Sequence, residues 1–435
     1  MTAPSLNLSF PRLSALLTLG LVFMLSVGTG TPAIAQDGTA VPGTAVPGTD
    51  EGGTGAIYAM TNSPARNEVV AYTRNADGTL SPMGHFDTAG LGSGSFENSD
   101  SALIVASAEG QSSPVDLGGG ADFVIAVNGG SDSISVFQIS DDGLELVETE
   151  PSGGERPTSV TVHGGRLYVL NSGGDAPGVG FCFGGNPRIN GFTIDDTGTL
   201  EPIANSAREL SGGPDSGCAQ VSFNPAGDVL IASQITENTI TTFPVNEDGT
   251  LGEAVENEPT GSGPFGYTFD GKGRLLVTEN FQAAPGKGTV ASYQIGEGGV
   301  LEPIGESLPL GESDPCWIVT TPDGDFAFST SFGPLPSLTI ADETLRRGTI
   351  QSYRIGEDGS LELLDAQAAQ VGVGAADITI AGDGRFLYAL NSIEGTITGF
   401  EIGESGDLTM VTSVGGLPAN AFGPLSIGLA ALDNE

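Results

Sequence analysis

One short pattern recurs along the chain: apolar residues at alternate positions, an acidic glycine turn, and a second apolar run. Its clearest copy is residues 350–361, IQSYRIGEDGSL. Alternation with a period of two on both sides of a glycine turn predicts two antiparallel strands joined as a β-hairpin. The aromatic residue of the first strand recurs at seven positions, which are Tyr72, Phe137, Phe192, Phe243, Tyr293, Tyr353 and Phe400.

Another strand precedes each hairpin, and in several repeats a further strand precedes that one. One ends in a polar residue, as in Leu167–Asn171 and Leu387–Asn391, and an earlier one begins near a proline, as in Pro157–Val162 and Pro315–Thr320. Repeats of roughly 40–50 residues with four short strands are typical of propeller blades. We therefore predict an all-β fold, a seven-bladed β-propeller with four antiparallel strands, A to D, in each blade.

The two ends of the chain predict how the ring closes. The first hairpin follows the strand Ile57–Thr61 but has no A strand before it, whereas the last strand, Pro424–Leu429, is an A strand with nothing after it. We expect the N-terminal strands and this C-terminal strand to complete one blade, which leaves no open inner edge.

The N-terminal segment resembles an export signal. Arg12 precedes an apolar run, and Ala33-Ile34-Ala35 matches a small-residue cleavage site, so residues 1–35 are predicted to be a secretory signal peptide. An uncleaved membrane anchor is the alternative, because the apolar run is nearly long enough to span a bilayer. Residues 36–55, rich in Gly, Thr, Pro and Ala, predict a flexible tether, and residues 56–435 a single propeller domain. We expect a secreted or periplasmic monomer.

Charge excludes one class of partner. The formal net charge is −40, and no basic cluster is longer than Arg346-Arg347, so a nucleic acid or an anionic membrane would be repelled. The acidity itself is open to three interpretations, namely a salty habitat, cation binding or solubility.

Strand order assigns the loops to two faces of the disc. The A–B and C–D turns, such as Asp77-Gly78 and Asp358-Gly359, share one face, and we interpret them as ordinary tight turns with calcium binding as the alternative. The B–C loops and D–A crossovers share the other face, which carries the long insertions 172–187, 281–288 and 331–347. Function is expected on this second face.

Polar side chains converge on that face. Strand-end amides predicted to bind a ligand are Asn128, Asn171, Gln220, Gln234 and Asn391. Such a ring suits a sugar-like ligand or a hydrated cation such as Ca²⁺, although strand-end amides also bond to nearby backbone groups. Among the charged residues at the same level, Glu279, Asp377 and Arg156 are the predicted catalytic residues, since a charge beside the channel needs a partner. No other cofactor is evident, and the metal stays unknown.

The three cysteines lie on the same face. In an exported protein Cys182 and Cys218 can form a disulfide and leave Cys316 unpaired, but sequence alone does not fix the connectivity. A nucleophilic Cys316 is the weaker alternative, because neither His85 nor His163 falls at a comparable level.

The repeat, the Leu-Tyr-Val-Leu-Asn strand at 167–171 and the seven aromatic hairpins resemble the lactonase family of seven-bladed propellers. That family includes bacterial 6-phosphogluconolactonase and fungal carboxymuconate-lactonizing enzymes. The resemblance implies hydrolysis or cycloisomerisation of a small lactone in the central funnel. It also implies a His early in one A strand and an Arg-His pair in the next blade, where this sequence has Ala219, Phe265 and Gly266.

Two functions follow as hypotheses. The first is an exported lactonase-like enzyme in which Glu279 or Asp377 is the general base and Arg156 binds the carbonyl or carboxylate. The second is a noncatalytic extracellular or periplasmic propeller that binds a sugar, a peptide or an envelope protein. An acid and a cation that converge on one pocket favour the enzyme, whereas a scattered ring of amides favours the binding protein.

Overall fold

The structure is a computed structural model. It describes residues 54–95, 97, 99–108, 110, 121–174, 185–332, 347–381, 384–419 and 425–433. The predicted signal, residues 1–35, and nearly all of the predicted tether, residues 36–55, lie outside these ranges and stay predictions.

The described residues form seven antiparallel sheets, and each sheet is one blade of a propeller. The first strands of neighbouring blades contact one another around the ring, so they are the innermost strands. Blades 3 and 5 each have a fourth strand divided into two short pieces, which gives these sheets five strands. The predicted all-β fold, with seven blades of four strands each, is confirmed.

From the innermost strand outward, the strands, numbered in chain order, are the following. Blade 1 contains β30 (Ile427–Asp433), β1 (Gly55–Met60), β2 (Glu68–Arg74) and β3 (Leu80–Asp87). Blade 2 contains β4 (Leu103–Ala106), β5 (Phe123–Asn128), β6 (Ser133–Ser140) and β7 (Gly143–Pro151). Blade 3 contains β8 (Pro157–His163), β9 (Arg166–Asn171), β10 (Arg188–Ile194), β11 (Leu200–Pro202) and β12 (Arg208–Glu209). Blade 4 contains β13 (Cys218–Phe223), β14 (Val229–Gln234), β15 (Thr239–Pro244) and β16 (Val255–Asn257).

Blade 5 contains β17 (Pro264–Phe269), β18 (Leu275–Glu279), β19 (Thr289–Ile295), β20 (Leu301–Pro303) and β21 (Leu308–Pro309). Blade 6 contains β22 (Pro315–Thr320), β23 (Phe326–Ser331), β24 (Arg347–Ile355) and β25 (Leu361–Val373). Blade 7 contains β26 (Ala375–Ile380), β27 (Phe386–Asn391), β28 (Thr396–Ile402) and β29 (Leu408–Val414). Three short 3₁₀ helices lie at Gly213–Asp215, Phe281–Ala283 and Glu297–Gly299. No helix among the described residues is both long enough and apolar enough to cross a membrane.

Burial explains why the strands differ in sequence. Every residue of β5 and β27 is buried, because both faces of these inner strands pack against neighbouring blades, and their sequences are accordingly almost continuously apolar. The outermost strand β29 is half-buried or exposed throughout, so polar residues enter it. The core therefore lies between the stacked sheets, around the ring.

The seven repeated aromatic residues all lie on the third strand of their blades. None of the seven is more than 3% exposed. A related contact joins neighbouring blades: the Tyr388 hydroxyl donates a hydrogen bond to the Gly78 carbonyl at 2.9 Å. Gly78 has φ of +80°, and a Cβ there would lie 2.4 Å from the Phe386 ring, so only glycine fits this turn against blade 7. The repeated aromatic residue therefore identifies both the third strand of each blade and a buried position of the core.

The ring closes as the ends of the sequence predict. Strand β30 pairs antiparallel with β1, from Gly55 opposite Asp433 to Met60 opposite Ile427. An ion pair between Arg74 and Asp433 adds a contact at the outer end of this pairing. The closing strand is displaced from its predicted position at residues 424–429, since it begins at Ile427 and continues to Asp433.

We expect deletion of residues 425–435 to lower the thermal unfolding midpoint by roughly 10 °C or more, or to cause aggregation. The deletion removes a strand with six buried residues and exposes the inner edge of β1. Differential scanning calorimetry would measure the shift. Deletion of residues 434–435 alone is the control, since β30 ends before them; equal midpoints for the two deletions would contradict the role given to β30.

Candidate functional site

The strand-end residue Asn128 connects blade 2 to the neighbouring blade. Its Oδ1 accepts hydrogen bonds from Asn67 Nδ2 (3.0 Å) and Thr88 Oγ1 (2.7 Å), and its Nδ2 donates to Ser135 Oγ (2.8 Å). Asn128 is fully buried, so these bonds satisfy polar groups that water does not reach.

The other strand-end amides make the same kind of contact in their own blades. The side-chain oxygen of each amide accepts a hydrogen bond from one segment of the chain, and its nitrogen donates a hydrogen bond to the third strand of the blade. The contacts are Ser152 Oγ to Asn171 Oδ1 (2.6 Å) and Asn171 Nδ2 to Asn190 Oδ1 (3.3 Å), Ser216 Oγ to Gln234 Oε1 (2.8 Å) and Gln234 Nε2 to Thr241 Oγ1 (2.8 Å), and Gly372 N to Asn391 Oδ1 (2.8 Å) and Asn391 Nδ2 to Thr398 Oγ1 (2.9 Å). These side chains hold the blades together and do not converge on one pocket. Their part in ligand binding stays a prediction.

Glu279 occupies the corresponding position in blade 5. Its carboxylate accepts hydrogen bonds from Gly261 N (2.7 Å), Thr289 Oγ1 (2.5 Å) and the Tyr293 hydroxyl (3.4 Å), and the residue is fully buried. The carboxylate thus makes the contacts that an amide makes in other blades. A catalytic role for Glu279 stays a prediction, and its surroundings resemble those of a structural residue.

Gln220 and Asp377 connect inner strands of adjacent blades. The Gln220 amide bonds to both backbone groups of Tyr267, accepting from N at 2.7 Å and donating to O at 3.1 Å. The Asp377 carboxylate accepts from Ile378 N (2.8 Å) and Leu429 N (2.9 Å). Both side chains are buried on the inner strands that surround the ring axis.

Part of the crossover between β3 and β4 lies at the ring axis. This crossover, residues 88–102, is the longest connection from one described blade to the next. We call four of its residues the plug residues: Glu97, Ser99, Asp100 and Ser101. Their backbone contacts are Asp100 N to Ala219 O (3.1 Å), Trp317 Nε1 to Ser99 O (3.0 Å) and Val160 N to Ser101 O (2.9 Å). Because blades 4, 6 and 3 contribute these partners, the plug residues lie on the axis of the ring.

Two positions that the family resemblance singles out lie against the plug residues. Ala219 accepts the hydrogen bond from Asp100 N, and a Cβ at Gly266 would be 2.7 Å from Asp100 Oδ2 and 2.2 Å from the Cys316 carbonyl. A side chain at position 266 therefore has no room. Phe265 packs edge-on against Trp317, with ring centroids 5.2 Å apart. In this protein the centre of the ring is occupied by its own chain.

Two acidic side chains are buried together at the axis. Burial raises the pKa of the Asp100 carboxyl to about 7. Burial and the nearby Asp100 charge raise the pKa of Asp377 well above its ordinary value. Among the described residues no ion pair includes either carboxyl. Desolvation without a cation favours the neutral acid, so the two groups hold protons at pH values where most carboxyls have lost them.

A pocket of about 430 Å³ lies on the face predicted to carry function. We call it the arginine pocket. Its walls include Leu91 and Ser93 of the first crossover, Gly130 and Asp132 of the B–C loop in blade 2, and Glu155 and Arg156 of the next crossover. Each wall comes from a D–A crossover or a B–C loop, as strand order predicts for this face.

Arg156 is the buried cation of this pocket. Its Nη2 donates to Glu97 Oε1 (2.9 Å) and Ser95 Oγ (2.8 Å), and its backbone N donates to Asp132 Oδ1 (2.7 Å). Only 5% of the residue is exposed, and its φ of +54° lies in the left-handed region. Non-glycine residues held in that region cost energy and concentrate at functional sites. Asp132, at φ of +55°, holds the Arg156 backbone in place.

The arginine pocket brings a cation and acids together. Burial raises the pKa of the Glu97 carboxyl, while the Arg156 guanidinium opposes that increase. Asp132 and Glu155 are exposed and line the same pocket as Arg156. A planar guanidinium can bind a carbonyl oxygen or a carboxylate, and an exposed carboxylate can accept a proton from water. Of the three predicted catalytic residues, only Arg156 lines this pocket.

The cysteines divide into bonded and free. Cys218 is in a disulfide bond, and Cys182, its predicted partner, lies outside the described residues. Cys316 is a free, buried thiol that donates to Asp314 Oδ1 at 3.4 Å. Burial raises the pKa of the Cys316 thiol well above its ordinary value, so it is protonated and unreactive near neutral pH.

The described part of the chain has no group of three or more His, Cys, Asp or Glu residues arranged to hold a metal ion. Calcium binding stays a prediction. The carboxylates of the acidic turns accept hydrogen bonds from residues of the same turn. Asp77 Oδ1 accepts from Thr79 N (3.0 Å) and Thr79 Oγ1 (2.6 Å), and Asp358 accepts the same pair of hydrogen bonds from Ser360. These hydrogen bonds lower the pKa of both turn carboxyls.

Comparison with known proteins connects this fold to lactonases. The chain is 28% identical to a 6-phosphogluconolactonase of Klebsiella pneumoniae over 198 residues, which are 43% of this chain and 54% of that protein. It is 25% identical to a 6-phosphogluconolactonase of Serratia proteamaculans over 289 residues, which are 65% of this chain and 77% of that protein. The resemblance to the lactonase family of seven-bladed propellers is confirmed. No protein-family model matches the chain.

Solved structures share the fold. A Bacteroides fragilis protein assigned as a 6-phosphogluconolactonase aligns with a TM-score of 0.62 at 17% identity, covering 89% of this chain and all of its own. The periplasmic gluconolactonase of Pseudomonas aeruginosa aligns with a TM-score of 0.61 at 16% identity, covering 87% of this chain and 99% of its own. The chain spans about half of the Klebsiella relative, and at these identities the structural likeness concerns the fold alone.

Sequence reasoning missed the plug residues and Asp132. The signal for the plug was an unusually long crossover that carries two acids, Glu97 and Asp100, just before an apolar strand. Asp132 had no signal, since an aspartate in a B–C loop is an ordinary turn residue until its contact with Arg156 is seen.

We expect Glu279→Ala to lower the free energy of unfolding by roughly 2–4 kcal/mol, because it leaves several buried donors without an acceptor. Urea denaturation followed by circular dichroism would measure the change. Glu302→Ala, at an exposed position of β20, is the control and should change stability little. Unchanged stability in Glu279→Ala would argue against the structural role.

We expect Asp100→Asn to stabilise the fold at pH 8 by a few kcal/mol and to have little effect at pH 4. Because the pKa of Asp100 is raised in the folded state, the wild type is most stable with the carboxyl protonated. It loses stability as the pH rises from about 4 to about 7. Urea unfolding at both pH values would test this, and an equal effect of the substitution at both would contradict it.

Proposed function

We propose that this protein hydrolyses a small lactone in the arginine pocket. The observation that carries the proposal is that buried Arg156 and the exposed acids Asp132 and Glu155 line one pocket of about 430 Å³. A volume of that size suits a small-molecule ligand. The sequence likeness to 6-phosphogluconolactonases supports the lactone as substrate class.

The reaction assigns one role to each charged group. The Glu155 carboxylate takes a proton from water, and the resulting oxygen attacks the lactone carbonyl carbon. The Arg156 guanidinium stabilises the negative oxygen of the tetrahedral intermediate. The ring C–O bond then breaks, the alkoxide takes the proton back from Glu155, and the product is a hydroxy acid.

The remaining neighbours of Arg156 hold it in position. Asp132 accepts the Arg156 backbone N–H, and Glu97 and Ser95 bond its Nη2 at 2.9 and 2.8 Å. A guanidinium fixed in this way loses little freedom when it binds the substrate. Glu279 and Asp377 take no part in the proposed reaction, since their carboxylates bond to buried donors away from the pocket.

Export is part of the proposal. The predicted signal at residues 1–35 supports it, and a structural relative is named as a periplasmic gluconolactonase. An exported enzyme of this kind would act on lactones outside the cytoplasm.

A noncatalytic binding propeller is the second candidate. The observation that favours it is the plugged axis, where Asp100 bonds to the Ala219 backbone and a side chain at Gly266 has no room. In that case the arginine pocket would bind a small sugar-like ligand, or the loops around the pocket would bind an envelope protein, and no reaction would be catalysed.

The test is acid release measured by pH-stat with the purified chain 36–435 against a panel of sugar and aryl lactones. Glu155→Gln is expected to lower kcat roughly 100-fold or more, since general bases typically contribute 10²–10⁴-fold. Arg156→Lys is expected to lower kcat/KM by a similar factor, because a lysine keeps the charge but loses the planar fork. Circular dichroism should show both variants folded.

Matched controls are Glu302→Gln and Arg354→Lys, which change exposed residues outside the pocket. Both should retain wild-type turnover. Turnover that survives Glu155→Gln would place the chemistry elsewhere, and no acid release above the uncatalysed rate from any lactone would leave the binding propeller as the better reading.

A further inference from the structure

The arginine pocket contains more acids than bases. Among the described residues that line it, Arg156 is the only cation, whereas Asp132 and Glu155 are exposed acids. Glu97 lies directly behind the wall, since a Cβ at the lining residue Gly129 would be 3.5 Å from Glu97 Oε1, and it is paired with Arg156 at 2.9 Å. One positive charge therefore faces three acids, and a proton on Glu97 would still leave the acids in excess.

The two exposed acids are held at the wall by hydrogen bonds of the surrounding backbone. Asp132 Oδ1 accepts from Arg156 N at 2.7 Å, and the Glu155 carbonyl accepts from Gly173 N at 3.0 Å. A Cβ at Gly174, another lining residue, would be 3.2 Å from Glu155 Oε2. Both carboxylates thus lie beside the space that a ligand would occupy.

The cation that follows the pocket wall most closely in sequence is also paired with acids. Arg66 comes two positions after the lining residue Pro64, and it forms ion pairs with Glu68 and, at 3.9 Å, with Asp87. Proteins bind phosphate groups mainly with arginine, lysine and helix N-termini. The described part of this pocket offers a phosphate no cation beyond Arg156.

The rest of the wall is polar but uncharged. Ser93 contributes a hydroxyl, and its backbone N donates to Asn62 Oδ1 at 2.7 Å. None of the described lining residues is aromatic, and the apolar ones are Pro64 and Leu91. The remaining lining residues are Gly92, Gly129, Gly130 and Gly174. A wall of hydroxyl, carboxylate and glycine backbone suits a ligand with many hydroxyl groups better than a flat aromatic ring.

We propose that the arginine pocket selects an uncharged sugar lactone and discriminates against lactones that carry a phosphate or an aryl group. This inference deepens the proposed function and rests on it for the lactone class. Ring hydroxyls donate charge-assisted hydrogen bonds to the Asp132 and Glu155 carboxylates, whereas a phosphate dianion at the same place is repelled by both. An aryl ring leaves the two carboxylates without donors when it displaces water from them.

The experiment is isothermal titration calorimetry of the full chain with lactams, which keep the shape of the lactones but resist hydrolysis. The probes are glucono-δ-lactam, its 6-phosphate and the aryl lactam dihydroquinolinone. In about 20 mM salt we expect the 6-phosphate and the aryl lactam to bind roughly tenfold or more weakly than glucono-δ-lactam. In about 0.5 M salt the difference between the two sugar lactams should fall below about threefold, because salt screens exposed charges.

Three variants test which charges discriminate and where the ligand binds. Glu155→Gln and Asp132→Asn each remove one charge beside the pocket and should lower the affinity ratio of glucono-δ-lactam to its 6-phosphate by roughly threefold or more. Gly129→Ala adds a methyl group beside Glu97 Oε1 and should weaken the binding of both sugar lactams. The matched control Glu302→Gln removes a charge from an exposed position outside the pocket and should keep the wild-type ratio. Circular dichroism should show all four variants folded.

Equal or tighter binding of the 6-phosphate in low salt would overturn the proposal, and so would no binding of glucono-δ-lactam. A wild-type ratio in both acid variants, or wild-type affinity in Gly129→Ala, would also contradict it. Because binding is measured without turnover, the two proposals can fail separately. Selective binding by a chain that releases no acid from any lactone would refute the proposed reaction alone, whereas preferred turnover of phosphorylated lactones would refute this specificity alone.

Discussion

The antiparallel pairing of β30 with β1 holds the seven blades in one closed ring. Once the last strand of the chain joins the first blade, seven sheets are fixed around one axis and β1 has a partner on its inner side. Closure also brings all seven inner strands toward one another. The inner strands must then pack against other residues at the centre. In this protein those are the plug residues of the crossover between β3 and β4.

Filling the axis with a crossover has an electrostatic consequence. Asp100 and Asp377 meet where water is excluded and no described arginine or lysine pairs with them, so their stable form is the protonated one. A buried acid pair of this kind lowers the stability of the folded protein as the pH rises.

Polar residues on the face of the B–C loops and D–A crossovers serve different purposes. Asn128, Asn391 and Glu279 face buried donors and acceptors within and between blades, and the geometry of their bonds is repeated from blade to blade. Arg156 departs from that repetition, because its backbone is left-handed and the residue lines a pocket. A break in the repeat is where a propeller can place chemistry without loss of the blade contacts.

The sequence was enough to predict the all-β propeller, its seven blades, the position of the buried aromatic residues and the closure by a C-terminal strand. Those features follow from local periodicity and from the count of strands, both of which are visible in one dimension. It also placed Arg156 on the right face. The tertiary structure was needed to show that Glu279 is bonded within its blade, that residues 97 and 99–101 lie on the axis, and that Asp132 and Glu155 share a pocket with Arg156. These relations join residues from different blades, and no local pattern records which loops of a closed ring come to lie side by side.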